Sequence, residues 1–167
     1  DNAGLACVAM MRWRELGDDA FAAGVASANL PARLQPLTRG PLSEPIRKLG
    51  GEVWVDGGHN PHGAAALSAA LNAMQRTRPM RVIAIIGLRA RKDSEAFVNA
   101  LAAGVADKII AVPLADAHIP PDQIAALARQ RNITGRSAAT LKAAMKNAAR
   151  APAPARYTCV LAVALHS

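Results

Sequence analysis

The chain has 167 residues, with 20 Lys+Arg against 12 Asp+Glu and therefore a formal net charge of +8; 51% of residues are hydrophobic and 19% charged. That length suits one domain, or one domain with a piece of another, and so apolar a composition excludes intrinsic disorder. Two cysteines, Cys7 and Cys159, cannot build a disulfide framework or a zinc site, and no apolar run is long enough to span a bilayer.

Both cysteines sit in apolar stretches and are expected to be buried small hydrophobes in a reducing cytosol. The 39 alanines against five aromatics favour helices packed closely on a neighbour. Basic residues are scattered, without a run of five and without interleaved aromatics. This disfavours nucleic acid as a partner and leaves a solvated basic surface or a site for anionic small molecules, with Arg89, Arg91 and Lys92 as the one tight cluster. Asp1-Asn2-Ala3 has no basic or apolar signal-peptide region, and a start without Met inside a helical pattern reads as part of a longer protein.

In chain order, residues 3–16 place apolar side chains at helical spacing and stop at Gly17, and Asp18-Asp19 open a second helix to about Ala28. Pro31, Pro36, Gly40, Pro41, Pro45, Gly50 and Gly51 then punctuate a loop or edge segment, with a domain boundary expected near 29–31. Alternating units follow. Strands are expected at Glu52 to Asp56, Arg81 to Ile86, Lys108 to Val112, around Asn132 to Thr134, and at Tyr157 to Val163. Helices are expected at Pro61 to Gln75, from a cap at Asp93 or Ser94 to about Ala103, at Pro120 to Gln130, and at Ser137 to Arg150. Strands apolar throughout, alternating with helices, mean a parallel sheet covered on both faces. The expected class is α/β: a Rossmann-like, mostly parallel sheet over 30–167, preceded by a short helical segment over 1–29.

Ligands of such sheets lie at the carboxyl ends of the strands. The loop Asp56-Gly57-Gly58-His59-Asn60-Pro61-His62 is the most informative. Asp56 could accept from a ribose hydroxyl or hold a cation, the glycines let backbone approach a ligand, and the helix start at Pro61 favours an anion. A tight turn with Asn60 as helix N-cap explains the same spacing. Metal binding by His59 and His62 is disfavoured, because Pro61 separates them and Asp56 is the one carboxylate nearby. Gly87 to Ser94 lacks the Gly-Lys-Ser/Thr ending of a phosphate loop, and neither a Gly-x-Gly-x-x-Gly fingerprint nor a Gly-x-Ser-x-Gly elbow occurs. His118 and His166 stand isolated.

Five segments occur in order: Asn2-Ala3; Leu30-Pro31-Ala32-Arg33-Leu34-Gln35; Glu52 through Asp56-Gly57-Gly58-His59-Asn60-Pro61-His62; Gly87 through Lys92-Asp93; and Val112-Pro113-Leu114 with His118-Ile119-Pro120-Pro121. Together, from Asn2 to about Leu161, they resemble the C-terminal part of the folylpolyglutamate synthase/dihydrofolate synthase family, a branch of the Mur ligase superfamily. The resemblance implies an ATP-dependent amide ligase that joins L-glutamate to dihydropteroate or folate through an acyl phosphate. It implies that 1–29 end a P-loop domain carrying the magnesium ligands, and that 30–167 form the C-terminal Rossmann-like domain closing over it. Asn2, Arg33, Asp56 and Asn60 would then face ATP, with Arg33 at its phosphates. His59 would lie beside the nucleotide and glutamate, and Lys92 would attract anionic folate or glutamate. A cytoplasmic monomer, inactive without its P-loop half, is expected. The end, Val163-Ala164-Leu165-His166, lacks a hydroxyl that the family pattern places on the glutamate side. Two alternatives stay open: a Mur-type ligase for a cell-wall precursor, and a non-catalytic Rossmann-like module for an anion or a partner protein.

Overall fold

A computed structural model describes residues 2–13, 17–28, 31–103, 106–150 and 157–163, the last segment and residues 2–3 by backbone alone. The chain divides into two compact units, Asp1–Pro31 and Ala32–Ser167.

The first unit holds α1 (Asn2–Trp13) and α2 (Asp18–Ser27). Gly17 is the extended N-cap of α2; the expected stop of the first helix there falls after residues 14–16, which lie outside the described ones. Asp18 and Asp19 occupy the first turn of α2, where the helix dipole favours them. Leu5, Val8, Met11 and Trp13 are each more than half exposed. Cys7, expected to be buried, is a half-exposed free thiol, and the Cys159 side chain lies outside the described residues.

The second unit is a six-stranded sheet in the order β1-β2-β6-β3-β4-β5, with the strands β1 (Gln35–Pro36), β2 (Glu52–Asp56), β3 (Arg81–Gly87), β4 (Lys108–Ala111), β5 (Thr134–Ser137) and β6 (Tyr157–Val163). The two-residue β1 pairs antiparallel with β2 at the edge; every other pairing is parallel. The last strand in sequence lies between β2 and β3, with Asp56 opposite Ala162 and Ile86 opposite the same residue on the other side. The carboxyl ends of β2 and β3 therefore flank that of β6.

Helices α3 (Glu44–Lys48), α4 (Pro61–Thr77), α5 (Ser94–Ala102), α6 (Pro121–Gln130) and α7 (Leu141–Ala149) complete the unit. Side-chain alternation divides the core in two. Val82, Ala84, Ile86, Ile109 and Ala111 pack with Leu67, Leu71, Phe97, Leu101 and Ile124 of α4, α5 and α6. Ile83, Ile85, Ile110 and Val112 pack with Ile46 of α3 and Ala144, Met145 and Ala148 of α7. Each fully buried Ile, Leu or Phe contributes about 1.5–3 kcal/mol. Coverage on both sides is why β3 and β4 read as unbroken apolar runs.

Among the described residues, side chains cap three helices: Asn60 for α4, Asp93 for α5 and Thr140 for α7. Two expectations shift. The strand placed at 132–134 starts at Thr134, because Asn132 adopts a left-handed φ of 59° while the amide of Ile133 bonds back to Ala128 and closes α6. The helix placed from Ser137 starts at Leu141, since Ser137 still pairs with Ala111 and Thr140 supplies the cap. The breaker-rich segment 31–51 contains both the edge strand β1 and α3, a helix not foreseen, with Pro45 in its first turn. None of the helices among the described residues is long and apolar enough to cross a membrane.

Lys108 opens β4 on the face of α7, two residues before Ile110. Burial pushes its pKa down, and the neighbouring Arg136 and Arg81 push it the same way. The charged form is thus penalised in the folded state below the folded pKa, and the penalty fades as pH rises to the unfolded value. Lys108→Met is expected to raise the urea midpoint at pH 7, with a gain that shrinks at alkaline pH; an unchanged or lower midpoint would contradict this.

Candidate functional site

Strand β2 delivers Asp56 to the carboxyl edge of the sheet, where the chain turns through Gly57-Gly58 into α4. The Oδ1 of Asp56 accepts from the Gly58 amide at 2.7 Å. Its Oδ2 accepts from the Leu34 amide, also at 2.7 Å, across 22 residues of sequence. Gly58 is buried, and a Cβ there would lie 2.9 Å from that Oδ1 and 3.6 Å from the backbone of Gly63. Only glycine fits without shifting the carboxylate. Asn60 adopts the extended N-cap conformation, and its Oδ1 accepts from the Gly63 amide at 2.7 Å. Its amide group retains both N–H donors for a ligand. No acidic residue occupies the first turn of α4, so its positive dipole end is uncompensated by its own side chains.

His59 is half-buried, with Nδ1 3.0 Å from the Gly57 carbonyl. With Nδ1–H donating there, Nε2 is the nitrogen left for a ligand.

Arg33 reaches this loop through the turn before β1. The Gly57 amide donates to the Ala32 carbonyl at 2.6 Å, and the Ala32 amide donates to Oε1 of Gln35 at 2.9 Å. Ala32 (φ 55°) and Leu34 (φ 43°) are both left-handed, a conformation that costs a non-glycine residue roughly 1–3 kcal/mol. Leu34 packs against the α4–α6 core, and Ala32 is buried. Between them Arg33 is exposed and has no hydrogen-bond or ion-pair partner among the described residues. The turn thus sets Arg33, a permanent cation, beside the loop that leads through two glycines into the α4 N-terminus, a combination suited to an anionic, phosphate-like ligand.

The loops after β3 and β4 form a second cluster. The Ile119 amide donates to the Leu88 carbonyl and the Ala90 amide to the Ala117 carbonyl, at 2.9 and 3.1 Å, joining Arg89 and His118 in an antiparallel bridge. Arg89 pairs with Asp116 at 2.7 Å. These residues, with Arg91, Lys92, Ala90 and Ala117, line an open cavity of about 440 Å³. Lys92 is half-buried, and Asp93, expected as a helix cap, accepts from the Ala96 amide at 2.9 Å. Gly87 ends β3 where a Cβ would meet the Leu114 side chain at 2.5 Å.

The structure therefore brings Arg33, Asp56, His59 and Asn60 together and sets Lys92 in the neighbouring loop cluster. Asn2 opens α1 in the other unit, and its side chain lies outside the described residues. Gln35 and Leu34, which shape the Arg33 turn, were missed: no glycine marks its left-handed positions. The Arg89–Asp116 clasp was missed as well, although Asp116 lies in the loop that follows the expected strand Lys108 to Val112. Among the described residues no group of three or more His, Cys, Asp or Glu side chains could hold a metal ion.

Comparison with known proteins gives a consistent result. The family model described as "Mur ligase, glutamate ligase domain" matches residues 43–164, well over half the chain. E. coli FolC in complex with DHPP and ADP superposes with a TM-score of 0.75 and 28% identity over 98% of this chain and 35% of that one. The same enzyme with ADP and without folate substrate gives 0.76 and 26%, over 97% and 36%. Mycobacterium tuberculosis folylpolyglutamate synthase complexed with ADP shares the fold, at a TM-score of 0.70 and 23% identity over 96% and 35%. No curated protein matches by sequence. The chain spans about a third of the length of the solved ligases it matches. With its sheet, its helices and 43–164 all accounted for in this way, the chain belongs to the family of the Mur ligase glutamate ligase domain.

Proposed function

We propose that this chain is the C-terminal part of an ATP-dependent ligase that adds L-glutamate to dihydropteroate or a reduced folate. The observation that carries the reading is the likeness, over nearly the whole chain, to a FolC structure holding both ADP and DHPP. Residues 1–29 would end a P-loop domain, and 30–167 would close over the nucleotide bound there. In this reading the pterin substrate's carboxylate attacks the γ-phosphorus of ATP and releases ADP, leaving an acyl phosphate. The glutamate amine then attacks the acyl carbon, loses a proton and expels inorganic phosphate as the amide forms.

Arg33 supplies a permanent positive charge to the phosphoryl oxygens as charge builds on them. Asn60 donates to the nucleotide from the start of α4, and Asp56 and Asn2 are assigned to the nucleotide by the family resemblance alone. His59 presents Nε2 between nucleotide and glutamate, and Lys92 with Arg91 draws in a carboxylate-rich substrate. Closure of the domain keeps water from the acyl phosphate. A divalent ion such as magnesium would neutralise phosphate charge, and its ligands are assigned to the P-loop domain. Action as a monomer in the cytoplasm completes the reading.

The test is ligation by the full-length protein with ATP, L-glutamate and either dihydropteroate or tetrahydrofolate. Amide product in step with ADP release, dependent on the pterin substrate, is expected; absence of both with either acceptor would sink the proposal. Residues 1–167 alone are expected to form no ADP with folate and glutamate, and ADP production by that piece would refute the division of labour between the domains.

A further inference from the structure

We infer that Asp56 and Gln35 are positioning residues which act on the reaction through Arg33, a conclusion that rests on the ligase reading above. Both oxygens of Asp56 are engaged by backbone amides, one from its own loop at Gly58 and one from Leu34, the residue next to Arg33. The far side of the turn is tied by the Gly57 amide to the Ala32 carbonyl and by the Ala32 amide to Gln35. Ala32 and Leu34 are held left-handed on either side of Arg33, an arrangement that free chain abandons unless its surroundings over-determine it. Burial of Ala32 and packing of Leu34 on the core fix the base of the turn. The guanidinium therefore starts from a backbone set in advance, and the ordering cost does not fall on nucleotide binding.

The chemistry of the carboxylate makes this separable from direct nucleotide contact. Asparagine has the same shape but one acceptor oxygen, and its amide group would face an N–H donor. In Asp56→Asn one of the two hydrogen bonds from backbone amides must break and the turn loses its tether. The experiment is a double-mutant cycle in the full-length ligase with Asp56→Asn, Arg33→Ala and both together. A misplacement of about 1 Å can lower turnover ~100-fold, so Asp56→Asn is expected to lower kcat ~100-fold with little change in KM for glutamate. The double variant should then be no slower than Arg33→Ala within about twofold, because non-additive loss is the mark of residues acting as one unit. Gln35→Leu should show the same non-additivity with a smaller loss. Losses that multiply, leaving the double variant ~100-fold below Arg33→Ala, would overturn the inference in favour of independent contacts.

Amide hydrogen exchange provides the second measurement. Asp56→Asn is expected to lose protection at Leu34 or Gly58 while amides of the core strand β3 keep theirs. Unchanged protection at both sites would overturn the tether. If Arg33→Ala itself turns over normally, the ligase-site reading fails, and the tether is judged by exchange alone.

Discussion

Under the proposed ligase reading, Arg33→Ala in the full-length protein is expected to lower kcat by about 100- to 1,000-fold, the usual loss on removing one preorganised donor to developing charge. The side chain is exposed and unpaired among the described residues, and its backbone is locked to the loop that begins α4. Its removal breaks no hydrogen bond or ion pair among the described residues, so the thermal midpoint should stay within about 2 °C, as for surface substitutions generally. The KM for the proposed pterin substrate should change little, because in that reading the charge is needed on the phosphoryl group and not on the ring. Initial rates of ADP release and a melting curve on the same preparation check both halves. Near-wild-type turnover would remove Arg33 from the site; a large fall in melting temperature would make it structural.

Gly135→Ala is expected to cost about 3 kcal/mol or more in stability, at the upper end of overpacking effects. Gly135 is buried in β5 beneath α6. A Cβ there would lie 2.1 Å from the carbonyl oxygen of Ala125, 3.0 Å from its carbon and 3.0 Å from the Cβ of Ala128. Two of these are backbone atoms within a helical turn, so no rotamer change relieves the clash; α6 must lift off the strand. The guanidinium of Arg129, which donates to the Gly135 carbonyl at 2.9 Å, would lose its partner. Urea unfolding followed by circular dichroism should show a lower midpoint at unchanged slope. A midpoint within experimental error of the parent would show that α6 yields without cost.

Gly135 and the Arg33 turn mark where sequence reading stops. Apolar content placed β2, β3 and β4 within a residue or two; β3 and β4 are covered on both sides, and their composition reports that directly. Helix starts were legible where a cap residue meets a proline or an apolar period, as at Asn60-Pro61 and Asp93. The start of α7 was not. Ser137 is a good cap type, but the β4 ladder claims it, and that pairing is invisible locally. Likewise α3 is too short for periodicity to show, and its Ile46 becomes helical by burying itself against β2 and α7.

What the sequence determined by itself is the class of the fold, the carboxyl-edge loop from Asp56 to Pro61 and the identity of its polar residues. These follow from short-range rules: strand period, helix caps and the glycines a tight turn requires. Tertiary structure alone decided that β6 would lie between β2 and β3, and that both oxygens of Asp56 would hold backbone amides. It also decided that Ala32 and Leu34 would be left-handed without a glycine to announce it. The physical reason is the same for each. A bond across 22 residues, or a conformation maintained against its own preference, is stabilised by the assembled core and has no local cause to read.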